Sequence, residues 1–176
     1  MVILILVIVA IAIYNNLVCI AYQCDEAWSN VETEFQRRYV LVPSLVSTVK
    51  GYVKHEKYLQ EELVRLREKA FDNQNSVLSP ASEAEFSRSL NRLIVRLEAY
   101  PNLKASTNFQ NFQIELANTE DRIQAALRFY NRNIRILNSK IRQFPSNIIA
   151  ILFDFRKCQF FVLEDIAAEE TPRIQF

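Results

Sequence analysis

The chain has 176 residues, half of them apolar and 23% charged, which sets the scale of one domain with at most an appendage. A single Gly argues against most sheet folds and against Gly-rich phosphate loops, because hairpins, bulges and anion cradles use glycine's access to positive φ. With 21 Lys and Arg against 20 Asp and Glu, the net charge of +1 offers no whole-molecule attraction to nucleic acid.

Val2 to Ile13 are twelve consecutive apolar side chains; after Tyr14-Asn15-Asn16 the apolar character resumes from Leu17 to Ala21, and no charge precedes Asp25. A bilayer crossing takes about 20 mostly apolar residues, so residues 1–22 read as an N-terminal transmembrane anchor that tolerates two Asn. The rivals are a cleaved signal peptide ending near Ala10-Ile11-Ala12, which lacks a basic n-region, and a shorter buried helix. The nearest basic pair, Arg37 and Arg38, lies about 15 residues beyond, so charge leaves the orientation open, with the cytoplasmic side preferred. Cys19, Cys24 and Cys158 leave one thiol over, which disfavours a disulfide framework.

Tyr14, Leu17, Ala21, Cys24, Trp28, Val31, Phe35 and Val42 form a heptad seam in which Arg38 is the exception. This predicts one helix from the bilayer to about Val40, stopped by Pro43. A second helix is expected from Ser44, with Leu45, Val49, Tyr52, Glu56, Leu59, Leu63, Leu66 and Ala70 as its seam. Gly51 falls inside it at a cost of about 1 kcal/mol, which implies close packing of another helix. Asp72 to Pro80 reads as a loop. Ser82 and Glu85 then form a capping-box pattern for a third helix with seam Phe86, Leu90, Leu93 and Leu97, ended by Tyr100-Pro101-Asn102. Thr107 with Gln110 offers the cap of a fourth, carrying Phe109, Phe112, Leu116, Ile123, Leu127, Tyr130, Ile134, Leu137 and Ile141 and lasting to Phe144.

The expected fold is therefore all-α: an elongated antiparallel up-down four-helix bundle with an N-terminal transmembrane helix. Residues 1–22 are the anchor, continuous with the first bundle helix; 23–145 form the bundle; 146–176 are an apolar segment and tail. One tension is built in. The second helix needs roughly 45 Å of partner surface, so the bundle must recruit the first helix from about Tyr14, leaving a short span. A thinned or tilted anchor, an overhanging second helix or a start upstream of Met1 would each resolve it.

Few residues invite chemistry. His55-Glu56 lacks the second His of a zinc-binding HExxH, since position 59 is Leu59. Asp25, Glu26, Glu32 and Glu34 show no convergent carboxylate pair, and Arg37 and Arg38 complement the end of the first helix dipole. Arg128, Arg132, Arg135 and Arg142 align on one stripe. That stripe either pairs with the acidic stretch of the first helix or approaches anionic lipid. The apolar run containing Ile148, Ile149, Ile151, Leu152 and Phe153 covers the bundle's end, lies in the membrane interface or meets a partner.

The segments YNNL at Tyr14, DEAW at Asp25, RRYVLVPSLVSTVKGYVKHEK at Arg37, AYPNLKAS at Ala99, NTEDRI at Asn118, RFYN at Arg128, FPSN at Phe144 and PRIQF at Pro172 follow one another along the whole chain. In this order they resemble the LemA family of bacterial membrane-anchored helical proteins. The resemblance implies a single-pass anchor in the bacterial inner membrane followed by an antiparallel bundle, with no catalytic residues or cofactors to carry over. The expectation is a non-enzymatic scaffold in contact with membrane and with a protein partner or itself, without nucleic acid or a small-molecule substrate. The alternative is an anionic-lipid-binding or membrane-shaping protein that uses the basic stripe.

Overall fold

A computed structural model describes residues 1–54 and 56–163; His55 and residues 164–176, with the terminal PRIQF, lie outside the described residues. Every regular element described is helical: α1 (Val2–Val49), α2 (Lys57–Gln74), α3 (Pro80–Leu97), α4 (Pro101–Lys104), α5 (Thr107–Arg142) and α6 (Ser146–Leu152). The chain divides into two units that share α1 and α5: one holds Met1–Thr33 with Ile123–Phe161, the other Glu34–Arg122.

Pro43 does not stop α1, which continues through it to Val49. An interior proline costs about 3 kcal/mol, yet Val42, Leu45 and Val49 on the same face are all at most 1% exposed. Each such side chain contributes about 1.5–3 kcal/mol on burial, and together they outweigh the proline. The break falls instead at 50–56, where Val53 is buried and Gln60 donates its side-chain amide to the carbonyls of Val53 and Lys54, both at 3.0 Å. Gly51 lies in this turn and not in a helix, and a methyl group added there would meet nothing within 4 Å. The close packing expected at Gly51 is absent because the chain has already left the helix.

Leu59, Leu63, Leu66 and Ala70 form the buried face of α2, and Phe86, Leu90, Leu93 and Leu97 that of α3, as their spacing predicts. The cap of α3 is Ser79, whose hydroxyl accepts from the Ser82 N–H at 3.2 Å, with Pro80 at the first helical position. Ser82 is thus inside the helix, and the Ser82/Glu85 capping box is not formed. Thr107 likewise is already the first residue of α5, which ends at Arg142, two residues earlier than expected.

In the unit built from Glu34–Arg122, Arg38 is fully buried on α1. It pairs with Glu83 of α3, donates to Glu120 of α5 at 3.0 Å and to Ser87 at 2.9 Å, and its guanidinium lies 5.0 Å from the Phe35 and Phe86 ring centres. Tyr39 donates to Glu83, as does the Asn73 amide at 3.3 Å. Burial pushes the Glu83 carboxyl up, against the lowering pull of Tyr39 and Arg38. Arg38 therefore does not cap the dipole of a helix end; it ties three helices together. Arg37, one residue earlier, is exposed beside Glu34 at 3.7 Å.

Candidate functional surface of the anchor-bearing unit

In the unit that carries the N-terminus, α1 and α5 run antiparallel. Trp28 lies against Tyr130, ring centres 5.1 Å apart, and Ile20 and Cys24 share a core cluster with Ile134 and Leu137. The first buried residue of α1 is Leu17, and side chains from Val2 to Val9 are between 45% and 78% exposed. Among the described residues one helix, α1, carries a stretch long and apolar enough to cross a membrane; the stretch lies near the N-terminus and is 11% buried.

The chain after α5 turns at Phe144-Pro145 into α6, which ends with Asp154 at φ 54 and the Phe155 N–H bonded to the Ala150 carbonyl at 2.9 Å. The expected apolar run divides here. Ala150 is buried and Ile149 half-buried, whereas Ile148, Ile151, Leu152 and Phe153 are 55%, 79%, 72% and 53% exposed. Phe153 and Phe155 place their rings on Tyr14, at 4.6 and 6.0 Å between centres. The exposed apolar side chains of α6 thus sit beside the point where α1 begins to be packed.

From Phe155 to Phe161 the chain is an extended strap along α5. Asn138 accepts the Cys158 N–H at 3.1 Å and donates to its carbonyl at 2.9 Å; Asn131 does the same with Phe161 at 3.0 and 2.8 Å. The register is a matter of rise: seven helical residues span about 10 Å, and so do three extended ones. Cys158 packs on the Cys24 cluster and Phe161 on Trp28, at 5.6 Å between rings. Burial pushes the Cys24 thiol up to about 11 and raises the Cys158 thiol as well, so both stay protonated and unreactive at neutral pH.

Arg128, Arg132, Arg135 and Arg142 are all exposed on α5. The pairing with the acidic stretch of α1 is not made: among the described residues no ion pair joins them to Asp25, Glu26, Glu32 or Glu34. The acidic residues share no single face: Glu26 is about 100° round α1 from Asp25, and Glu34, half-buried, stands beside Arg37 at 3.7 Å.

The buried polar network and the asparagine clasps were not singled out by the sequence reading. A signal existed for the first: Arg38 interrupts the α1 seam, and Glu83 stands three residues before Phe86 on the α3 seam. For the clasps the signal is the seven-residue spacing of Asn131 and Asn138, recognisable only once the strap is known.

An all-helical fold with a membrane-length apolar N-terminus defines a membrane-associated helical protein. The chain belongs to the LemA family, whose family model matches residues 27–176. It is 26% identical over 153 residues to Protein LemA of Metamycoplasma hominis, covering 86% of this chain and 70% of that protein. It is also similar to Magnetosome protein MamQ 2 of Paramagnetospirillum magneticum, 27% identical over 93 residues, and to Magnetosome protein MamQ of Magnetospirillum gryphiswaldense, 25% identical over 93 residues. Each of these stretches covers 53% of this chain and 34% of the relative.

Proposed function

We propose that this LemA-family chain is a single-pass protein of the bacterial inner membrane in which α1, α2, α3 and α5 form an antiparallel up-down bundle that serves as a non-enzymatic scaffold. The domain reading follows: 1–22 anchor, 23–145 bundle, 146–176 apolar segment and tail. The observation that carries the membrane reading is the placement of α6 beside Tyr14. The unpacked apolar stretch from Val2 to Ile13 spans about 18 Å, less than the roughly 30 Å of hydrocarbon. Immersing the level of Tyr14, with Ile148, Ile151, Leu152 and Phe153 facing lipid, extends the apolar band toward the needed thickness and gives these side chains a reason to be exposed. Similarity to the magnetosome proteins supports a role at a membrane.

A second reading, binding of anionic lipid, is favoured at one end of the stripe. Counting from the contact of Trp28 with Tyr130, Arg142 is level with about Asn16, near the headgroups, while Arg128 is about 20 Å further out. Attraction to a charged surface fades within a Debye length of about 8 Å, so Arg142 acts on lipid and the outer arginines are left for protein.

The test uses the full chain in vesicles. Carbonate should leave it in the membrane, and Trp28→Phe/Leu152→Trp should be quenched by lipids brominated near the glycerol level while unmodified Trp28 is not. Release by carbonate, or an unquenched tryptophan at position 152, would overturn the reading. Protease protection of the C-terminus in intact spheroplasts reads the side of the membrane.

A further inference from the structure

The strap has two charged banks. On α1 its side is marked by Trp28, which packs on Phe161; Glu32 accepts the Trp28 indole N–H at 2.7 Å. Asp25, seven residues before Glu32 and so on the same face, acts electrostatically on Cys158 and Tyr130. On α5 the strap's side is marked by Asn131 and Asn138. Arg128 and Arg135 stand three residues before each, hence on the neighbouring line of that face. All four charged residues are exposed and, among the described residues, none has an ion-pair partner. Between the banks the strap shows Phe160, 47% exposed.

The heights match. With Trp28 against Tyr130, Asp25 is within about 3 Å of the level of Arg135, and Glu32 within about 3 Å of that of Arg128, offset in the same direction. Such an offset is well within the reach of an arginine side chain.

We propose that this face is self-complementary and joins two copies of the chain in a parallel dimer, with Asp25 against Arg135 of the second copy and Glu32 against Arg128 of the second copy. Two identical faces turned toward each other about an axis along the membrane normal bring the acidic bank of one onto the basic bank of the other at equal height. An axis running across the strap from one bank to the other, parallel to the membrane plane, would set acid against acid and base against base, which repel. The proposal rests on the tethered reading, because a common anchor makes both copies point the same way. Exposed ion pairs are individually weak, but confinement of both copies to one bilayer raises their effective concentration, and Phe160 from each side supplies an apolar centre.

The experiment is energy transfer between donor- and acceptor-labelled full chains reconstituted in one population of liposomes, with flotation and helical circular dichroism measured for each variant. Unmodified chains should transfer above the level of random mixing. Arg128→Glu/Arg135→Glu makes both banks acidic, and Asp25→Arg/Glu32→Arg makes both basic; each alone should associate at least about tenfold more weakly. Mixed together, these two variants should regain the unmodified transfer. Asp25→Arg/Arg135→Glu, which keeps the Trp28–Glu32 bond, should restore association within one chain. The proposal fails, and the tether stands, if unmodified chains float with the vesicles yet mix at random, or if the mixed variants stay apart. Failure to float defeats both.

Discussion

Asn138 and Cys158 are joined at two points, the asparagine amide holding both backbone polar groups of the cysteine as a neighbouring strand would. The clasp, repeated at Asn131 and Phe161, gives the strap a ladder without a sheet. Asn138→Ala leaves an N–H and a C=O half-buried without their partners, so stability should fall by about 1–3 kcal/mol. Hydrogen exchange should show the Cys158 amide losing protection before the α5 amides; unchanged exchange would show that the strap is held by Phe161 alone.

Arg38 is the most exacting position of the core. Removing one partner from a buried ion pair costs about 3–5 kcal/mol because the other charge is left stranded, so Arg38→Ala should be far more damaging than Arg37→Ala. Arg38→Met combined with Glu83→Leu should recover much of the loss, as measured by chemical denaturation. The remaining deficit would report on Tyr39 and Asn73, whose groups also meet Glu83.

Alkaline pH should weaken the fold. Burial pushes Cys24 from 9.0 up to about 11, and burial with Glu83 pushes the Tyr39 phenol up as well. The unfolded chain gives up these protons first, so it binds fewer than the folded chain and stability falls as pH rises. The Cys24 contribution is whole below pH 9 and is lost as pH passes about 11. Denaturation midpoints between about pH 8 and pH 10 should decline, and in Cys24→Ala the decline should be shallower.

Pro43 sits inside α1 against its propensity. Replacing it with Ala restores an N–H to the helix ladder but loosens the unfolded chain. The net should be a stabilisation of about 1–2 kcal/mol, visible as a raised Tm. A lowered Tm would mean that the proline ring packs in a way the alanine cannot replace.

Helical periodicity made the all-helical class and the buried faces of α2, α3 and α5 readable in the sequence. The expected recruitment of the first helix from about Tyr14 rested on a second helix of roughly 45 Å, whereas α2 has 18 residues, about 27 Å, and what meets Tyr14 is Phe153 and Phe155. What periodicity hid was decided by competition. At Pro43 the local rule for the residue before a proline predicts a stop, but the seam of Val42, Leu45 and Val49 continues and its burial wins. At Gly51 the seam predicts a helix where the chain turns. Arg38 was visible as a misfit in the seam, but its partner Glu83 lies 45 residues away, and a side chain's partner across that distance has no period to reveal it. The strap is hardest of all, because an extended segment hung on two asparagines leaves no periodic trace. The exposed arginines and α6 side chains were readable as a stripe and a run, while their heights relative to Tyr14 and Trp28 needed the structure.

Within the anchor-bearing unit the first helix runs from Val2 to Thr33 without a loop, over about 46 Å. A rod of that length works as a lever: a change of about 10° in its tilt displaces one end relative to the other by about 8 Å, with no loop in between to absorb it. Trp28, and the strap that rests on it through Phe161, are carried by the same rod as the apolar end.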